Sequence, residues 1–291
     1  MPITFCPCGD PLTLLSGPDA VNFSRAIQNS TLLGFNVWGR TTAPLTSQLC
    51  DVWGYPSIAA GQQVRVNPTV AFTPAIVSDS VADTLAGTGA QKVNLYFLDI
   101  NGQMCVANYS MNGQTAVTTP NSVNYILNSG LLQSIALTWV NQAYRIQDIE
   151  VVQVGSGAAN AGNIYVTTSA NTYTAGVPVT TNLVYSFIYA GDNIDANTQY
   201  TIPTGWSAAL TQIGYGAAGS AVSYGRYRLC TTSGPNGIYL GFDFPLGSML
   251  SIINPNVVPV ISGGSDIRAQ VQPGVVGECS SSNLLLMWPN S

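Results

Sequence analysis

The order of apolar and polar residues predicts β-structure from about residue 61 onward. Strand-like runs at 93–98 and 104–109 flank the sequence Asp99-Ile100-Asn101-Gly102, and Asn112-Gly113 precedes another run at 115–119. An Asn-Gly pair between β-rich runs favours a two-residue hairpin turn, because both central residues of that turn need positive φ. The pattern therefore predicts a three-stranded antiparallel meander across about 93–119.

Similar short runs continue to the end of the chain, on both sides of a turn-rich boundary at 190–198. Strands are expected at 135–140, 144–154, 163–168, 182–190, 208–215, 223–232, 238–244, 249–253, 267–271 and 283–287. The segment 121–134 is compatible with a helical turn, and Asn236-Gly237 predicts a third hairpin. Many short strands separated by Gly and Pro turns are typical of sandwiches and jelly rolls. We therefore predict an all-β fold with two antiparallel β-sandwich or jelly-roll-like modules, at 61–192 and 193–291.

Residues 1–60 have a different pattern, in which prolines alternate with spaced aromatics. Prolines stand at positions 2, 7, 11, 18, 44 and 56, and the aromatics include Trp38, Trp53 and Tyr55. Proline interrupts a continuous helix or central strand, and large aromatic side chains need a surface on which to pack. We predict an extended N-terminal arm that packs on its own chain or on a neighbour, with one short helix at 20–28 capped by Asp19.

Charge is scarce in this chain. It has 8 Lys and Arg residues, 13 Asp and Glu residues and no histidine, so that only 7% of its 291 residues are charged, against roughly 25% in an average soluble domain. Without histidine, a His-containing catalytic triad, a His-ligated metal and a His pH switch are excluded within one chain. The net charge of −5 argues against a nucleic-acid partner. A mean hydropathy of +0.23 argues against disorder, and the low charge favours a surface covered by neighbouring copies.

Neither a membrane nor a secretory location is expected. No apolar run reaches the 18 residues that span a bilayer, and the first residues lack the positive region of a secretory signal. The six cysteines are widely spaced without a CxxC pair, and we interpret them as reduced, mostly buried thiols. The alternative is a metal knuckle or a disulfide formed by Cys6 and Cys8 with Cys50.

Candidate chemical groups are few, and each has a simpler structural interpretation. Lys92 heads a predicted strand and is interpreted as a surface charge. Asp99-Ile100-Asn101-Gly102 resembles the start of a calcium loop, but Ser110 stands where such a loop has a glutamate, so a hairpin turn is favoured. The polar cluster at 192–197 could offer oxygen ligands to Ca²⁺ or form a plain turn. Glycine-rich 87–90 and 155–157 lack the phosphate-loop patterns. We assign no catalytic, cofactor-binding or metal-binding residues and expect no cofactor.

Several of these segments occur in one order in a known family. The chain resembles virion structural proteins of tailed bacteriophages of the marine and cyanophage type. The matching elements are Asp51-Val52-Trp53-Gly54, the Asp-Thr-x-Ala-Gly-Thr-Gly-Ala core of 83–90, Leu98–Gly102, Met111–Val117, Val154–Ile164, Thr174–Pro178, Tyr200–Gly205 and Gly264–Arg268. The resemblance covers about 50–270, whereas residues 1–50 and the tail after 270 match poorly. It implies two β-rich modules and a structural role on the particle, and it supplies no catalytic residues.

The expected function is therefore that of a capsid-associated decoration, vertex or minor capsid component, located in the virion and assembled in the host cytoplasm. Its expected partners are copies of itself and other virion proteins, the major capsid protein among them. One alternative is a receptor- or glycan-binding module of a head or tail fibre, using exposed Tyr and Trp residues and a host-surface glycan. A carbohydrate-active enzyme is a further alternative, since paired carboxylates hydrolyse glycosides, although no feature of the sequence selects a pair.

Overall fold

The computed structural model describes residues 33–41, 50–55, 65–126, 132–218, 223–232, 238–246, 251–253, 260–272 and 278–290. These residues form antiparallel sheets with two short 3₁₀ helices, which confirms the all-β prediction. Among them, no helix is long and apolar enough to cross a membrane. The predicted helix at 20–28, the Cys6-Pro7-Cys8 element and the Asn236-Gly237 turn lie outside the described residues.

The elements follow one another along the chain as short strands. The strands are β1 Leu33–Thr41, β2 Cys50–Asp51, β3 Pro74–Ser78, β4 Ala90–Asp99, β5 Met104–Ser110, β6 Ser122–Ile126, β7 Leu132–Ile135, β8 Ala143–Val154, β9 Ile164–Thr168, β10 Tyr173–Thr174, β11 Val177–Pro178, β12 Val184–Ile188, β13 Tyr200–Thr201, β14 Trp206–Ala218, β15 Ser223–Thr232, β16 Ile238–Leu246, β17 Ser251–Ile253, β18 Val260–Ser262, β19 Asp266–Gln272 and β20 Glu278–Pro289. The 3₁₀ helices are Leu137–Gln142 and Thr181–Leu183.

The first unit is a sandwich of a five-stranded sheet and a three-stranded sheet. The larger sheet has the order β7-β6-β5-β4-β8, and the smaller one has the order β12-β9-β3. Alternate residues of β4, such as Val93, Leu95 and Phe97, point into a shared core that also contains Ile76 and Ile164 of the smaller sheet. The opposite face of the larger sheet carries polar side chains such as Asn94 and Asn108 together with apolar ones such as Met104.

The second unit is a sandwich in which the start of the chain takes part. One sheet has the order β1-β20-β14-β17, and the other has the order β13-β19-β15-β16, with β2 on β19. Strand β1 pairs with β20 from Leu33 to Thr41, and its Val37 lies in the core of this unit. The described part of the predicted arm is thus extended and packs on its own chain. The division of the chain at 60 and 192 stays a prediction.

The meander predicted at 93–119 is correct for its first hairpin and wrong for its second. Strands β4 and β5 form the hairpin, but the predicted two-residue turn is wrong: the N–H of Asp99 donates to the carbonyl of Gln103 across a three-residue loop, and only Gly102, not Asn101, has positive φ (76°). After Asn112-Gly113 the chain leaves this sheet, because Gly113 donates to the carbonyl of Asp83 (2.7 Å) and Val117 pairs with Ile76 of β3. The third strand of the meander is β6, which lies in the segment interpreted as ambiguous.

The strand predicted at 135–140 is also wrong at its centre, where a 3₁₀ helix runs from Leu137 to Gln142. Its Val140 is buried, and Trp139 packs edge-on against Tyr125 at a centroid distance of 5.8 Å. Both apolar side chains pack in or against the core of the first unit.

Candidate functional site

The two units meet along buried polar side chains that we call the polar junction, chiefly Gln147, Thr201, Asp51 and Arg65. A β-bulge in β8 orients the first of these side chains. Tyr96 pairs with Asp148, but its neighbour Phe97 pairs with Ile146, so Gln147 is an extra residue on β8. Ile146 and Ile149 keep their places in the first core. A bulge re-aims side chains in this way, and here it turns Gln147 toward the second unit.

Gln147 joins the two units through its side-chain amide. Its Nε2 donates to the carbonyl of Thr201, and its Oε1 accepts the N–H of Thr201 at 2.9 Å. The amide group therefore pairs with both the N–H and the carbonyl of Thr201, as the backbone of a neighbouring strand would. Both residues are buried, so the contact is shielded from water.

A buried ion network continues the junction around Arg65. Arg65 is 3% exposed; its N–H donates to Asp51 Oδ2 (2.7 Å) and its Nη2 to the carbonyl of Ile146 (2.8 Å). Burial lowers the pKa of Arg65 to about 10, which leaves it charged at neutral pH. Burial raises the pKa of Asp51, and the positive charge of Arg268 opposes this shift. The network ties Asp51 and Arg65 to both units, since Asp51 also accepts from Gln270 of β19 at 2.8 Å.

Asp266 forms a second ion pair across the junction. Arg145 of β8 donates from Nε to Asp266 Oδ1 at 3.2 Å, and Asn67 donates to Oδ2 at 3.0 Å. The Thr201 hydroxyl also donates to Asp266. Asp266 and Thr201 belong to sequence elements that carried the family resemblance, so those elements meet at the contact between the units.

A cavity of about 420 Å³ lies beside the junction, between the outer face of the five-stranded sheet and the second unit. Asp148 and Glu150 stand two residues apart on β8 and therefore project on the same side. Glu150 accepts the hydroxyl of Tyr96 at 2.6 Å, and Asp148 Oδ1 accepts the N–H of Ile149 at 2.7 Å. The remaining walls are largely apolar or aromatic: Met104, Ile126, Tyr200, Pro203, Trp206 and Met287.

A smaller recess of about 80 Å³ adjoins this cavity and shares Gln147, Asp148 and Tyr200 with it. Residues 193–195 run along the free edge of β8, where the N–H of Asp195 donates to the carbonyl of Ile149 at 3.1 Å. Asp195 and Gln199 line the recess, and each is 5% exposed. Burial raises the pKa of Asp195 to about 6, although the Ser186 hydroxyl donates to it.

The carboxylate of Asp148 lies between the cavity and the recess. Burial, and next the charge of Asp195, raise the pKa of Asp148 well above its usual range. Sequence reasoning missed Asp148, Glu150 and Asp195 as a group, because they are distinguished from other acidic residues only by the bulge and by the approach of the second unit. The spacing of Asp148 and Glu150 on one strand was the only local signal.

The loop at 192–197 does not gather its polar side chains around one point. Asp192 accepts from Arg40, Asn193 exchanges hydrogen bonds with Asn160, and Asn197 accepts the N–H of Gln199. Within the described residues, no group of three His, Cys, Asp or Glu side chains is arranged to hold a metal ion. The sequence-level calcium alternative therefore gains no support here.

Asp99 has the role in the hairpin that its turn pattern favours. It is fully buried, and its Oδ1 accepts the N–H of Asn101 (2.9 Å) and of Gln103 (2.8 Å). Lys92 lies near the start of β4 opposite Ser110 and lines neither hollow.

The glycine-rich segments at 87–90 and 155–162 hold each other around one carboxylate, an arrangement that we call the Asp83 knot. Asp83 is fully buried and accepts the Ser78 hydroxyl (2.6 Å) and the N–H groups of Ala90 (2.7 Å), Ala161 (2.8 Å) and Gly162 (2.9 Å). A Cβ on Gly89 would lie 2.1 Å from Asp83 Oδ1. These glycines therefore allow close approach of two loops, not phosphate binding.

A second contact between motif segments connects the units. Thr204 donates from its N–H to the carbonyl of Gly102 at 2.9 Å, and a Cβ on Gly102 would lie 1.9 Å from Thr204 Oγ1. The N–H of Ile202 donates to the carbonyl of Ser265 at 3.0 Å, and the N–H of Gly264 donates to the carbonyl of Ile202 at 2.8 Å. The hairpin at 99–102 and the segment 200–205 thus shape one side of the cavity.

No family model and no curated protein matches this chain. Solved structures with some likeness include those of infectious bursal disease virus, Gx strain (10% identity, TM-score 0.23) and Gt strain (9% identity, TM-score 0.23); each alignment covers 89% of this chain and 72% of the other. A Bacillus thuringiensis Cry1Da tryptic core variant aligns over 69% of this chain and 51% of its own length (10%, TM-score 0.21). TM-scores this low carry no argument about function.

Proposed function

We propose that this chain is a virion structural protein, a capsid-associated component that assembles by repeated contacts with copies of itself and with other virion proteins. The observation that carries the proposal is the Asp83 knot: the 83–90 element of the bacteriophage resemblance locks two loops together, as a structural role requires. Four hydrogen bonds to Asp83 hold the knot.

Composition and sheet edges support the same role. Few charges separate identical copies, with 7% charged residues in the sequence. Strand β7 ends its sheet as a four-residue edge, and its Leu132 is 60% exposed. An open strand edge can pair with a strand of a neighbouring protein. Weak contacts of this kind add up when many copies are held on one particle.

The proposed role includes no catalysis, although Asp148 and Glu150 share one cavity. A carboxylic acid beside a carboxylate is the arrangement that glycosidases use. Here both groups already accept hydrogen bonds from within the chain, from Ile149 and Tyr96. We expect the purified protein to release no reducing sugar from host-surface polysaccharide, and Glu150→Gln to match the wild type in that assay.

The proposed function is tested by quantitative mass spectrometry of gradient-purified particles. We expect the chain to copurify with the major capsid protein at a fixed copy number after washes with high salt. Absence from particles would refute the proposal, as would a soluble protein that stays monomeric at high concentration. A location only at fibre tips, together with retention on a glycan array, would favour the receptor-binding alternative instead.

A further inference from the structure

The cavity and the recess are lined by three acidic side chains, those of Asp148, Glu150 and Asp195. Asp148 and Glu150 face the cavity, and Asp148 and Asp195 face the recess. Arg65 is buried in the same network: its backbone N–H donates to Asp51 Oδ2 and its Nη2 donates to the carbonyl of Ile146, whereas its Nε and Nη1 have no hydrogen-bond partner among the described residues. The two hollows are therefore complementary to a positively charged group.

Two buried oxygens of residues that line the recess have no hydrogen-bond partner among the described residues. These are Oδ1 of Asp195 and Oε1 of Gln199, and both side chains are 95% buried. Buried polar atoms of native proteins are almost always paired, so unpaired acceptors indicate a donor outside the described residues. Both atoms need donors, as an ammonium or guanidinium group would supply.

The rest of the lining matches an aliphatic stem. Met104, Ile126 and Met287 form apolar walls of the cavity, and Trp206 adds an aromatic surface. Trp38, 41% exposed, lines the recess. Lysine and arginine bury their methylene stems on apolar surface, and their charged heads are attracted to aromatic faces.

Other ligand classes fit less well. A divalent metal ion would need more carboxylates, since the described residues contain no group of three acidic, Cys or His side chains suited to a metal. Gln147, one of the amides of this lining, already uses both atoms of its amide group on Thr201 and offers none to a neutral sugar.

We propose that the cavity and its recess form a docking site for the lysine or arginine side chain of a neighbouring subunit. The inference rests on the proposed function for the source of that side chain. The site itself is a property of the isolated chain. Cation binding is therefore measured on purified protein, whereas the particle role is measured on purified particles. Either proposal can be refuted without the other.

The test is titration of the full-length protein with Nα-acetyl-lysine methylamide and Nα-acetyl-arginine methylamide, followed by calorimetry and tryptophan fluorescence. We expect saturable binding of either cation and at least tenfold weaker binding of Nα-acetyl-norleucine methylamide, because a charge-assisted contact changes affinity by roughly tenfold or more. Equal binding of the norleucine compound, or binding of neither cation, would overturn the proposal. Saturable binding of methyl glucoside or of CaCl₂ in place of the cations would also overturn it.

Variants locate the site. Asp195→Asn and Asp148→Asn should each weaken cation binding by about tenfold, whereas Asp192→Asn, in the same loop but outside both hollows, should leave it unchanged. Trp38→Ala alters an exposed side chain and keeps the test valid if a carboxylate variant fails to fold. Retention of full affinity in folded Asp195→Asn, Asp148→Asn and Trp38→Ala proteins would refute the assignment.

Discussion

Replacing Asp83 by asparagine tests the Asp83 knot with a change of only one atom. In the native carboxylate, Oδ1 accepts the N–H groups of Ala90 and Ala161, and Oδ2 accepts the N–H of Gly162 and the hydroxyl of Ser78. An amide has one oxygen and one NH₂ group. In either orientation its NH₂ therefore faces at least one backbone N–H that cannot turn away.

The less costly orientation places NH₂ at the position of Oδ2, because the Ser78 hydroxyl can rotate to accept. The N–H of Gly162 is then buried without a partner, at a cost of about 2 kcal/mol, and the other bonds lose their charge assistance, at about 1 kcal/mol. We expect Asp83→Asn to lower the free energy of unfolding by about 3 kcal/mol.

The assay is urea denaturation of the full chain, followed by circular dichroism and tryptophan fluorescence. The control is Asp192→Asn, which breaks a partly exposed ion pair with Arg40 and should cost at most about 1 kcal/mol. Gly89→Ala should also destabilise the knot, and its effect should not add to that of Asp83→Asn, because both changes disturb the same contacts. Equal midpoints for Asp83→Asn and the wild type would refute this account of the knot.

Three further predictions concern the junction and the thiols. Burial raises the pKa of Asp195 from 3.8 to about 6, so the protonated side chain contributes roughly 3 kcal/mol of stability that is present below about pH 4 and is lost as the pH rises through 6. Urea midpoints should fall over this pH range in the wild type and not in Asp195→Asn. Parallel pH profiles for the two proteins would contradict the prediction. Gln147→Leu should cost about 2 kcal/mol by removing both hydrogen bonds to Thr201; an unchanged midpoint in the same denaturation assay would show that the bridge is dispensable. Thiol labelling mapped by mass spectrometry should be slow in native protein and fast in urea at the buried free cysteines, which are Cys50, Cys105 and Cys279. Rapid labelling of the native protein would show that these thiols are not buried.

The acidic cavity and the knot have different relations to the proposed particle role. The knot stabilises one unit internally, so its variants should lower the yield of folded protein. The cavity lies where the two units meet, and variants such as Asp148→Asn should leave folding largely intact while weakening a contact with a neighbour. Particles carrying each variant would separate loss of folded protein from loss of assembly.

The sequence by itself determined the class of fold and the position of the hairpin turn at 99–102. Alternating strands need only local patterning, and the turn depends on groups within five residues: Gly102 takes positive φ, and Asp99 accepts the N–H groups of Asn101 and Gln103. The buried thiols among the described residues follow from the same local rule that apolar positions face a core. Such features hardly depend on distant parts of the chain.

Tertiary structure decided the rest, because the deciding partners are distant in sequence. Asn112-Gly113 is the same dipeptide as in the first turn, yet the chain leaves the sheet there, because Gly113 donates to the carbonyl of Asp83 and Val117 pairs with Ile76 of β3. Asp148 and Glu150 became a pair in one cavity only through the bulge at Gln147 and the arrival of Thr201 from the second unit. Hydrogen bonds and charges act over a few ångströms in space whatever their separation along the chain, and no local pattern records them.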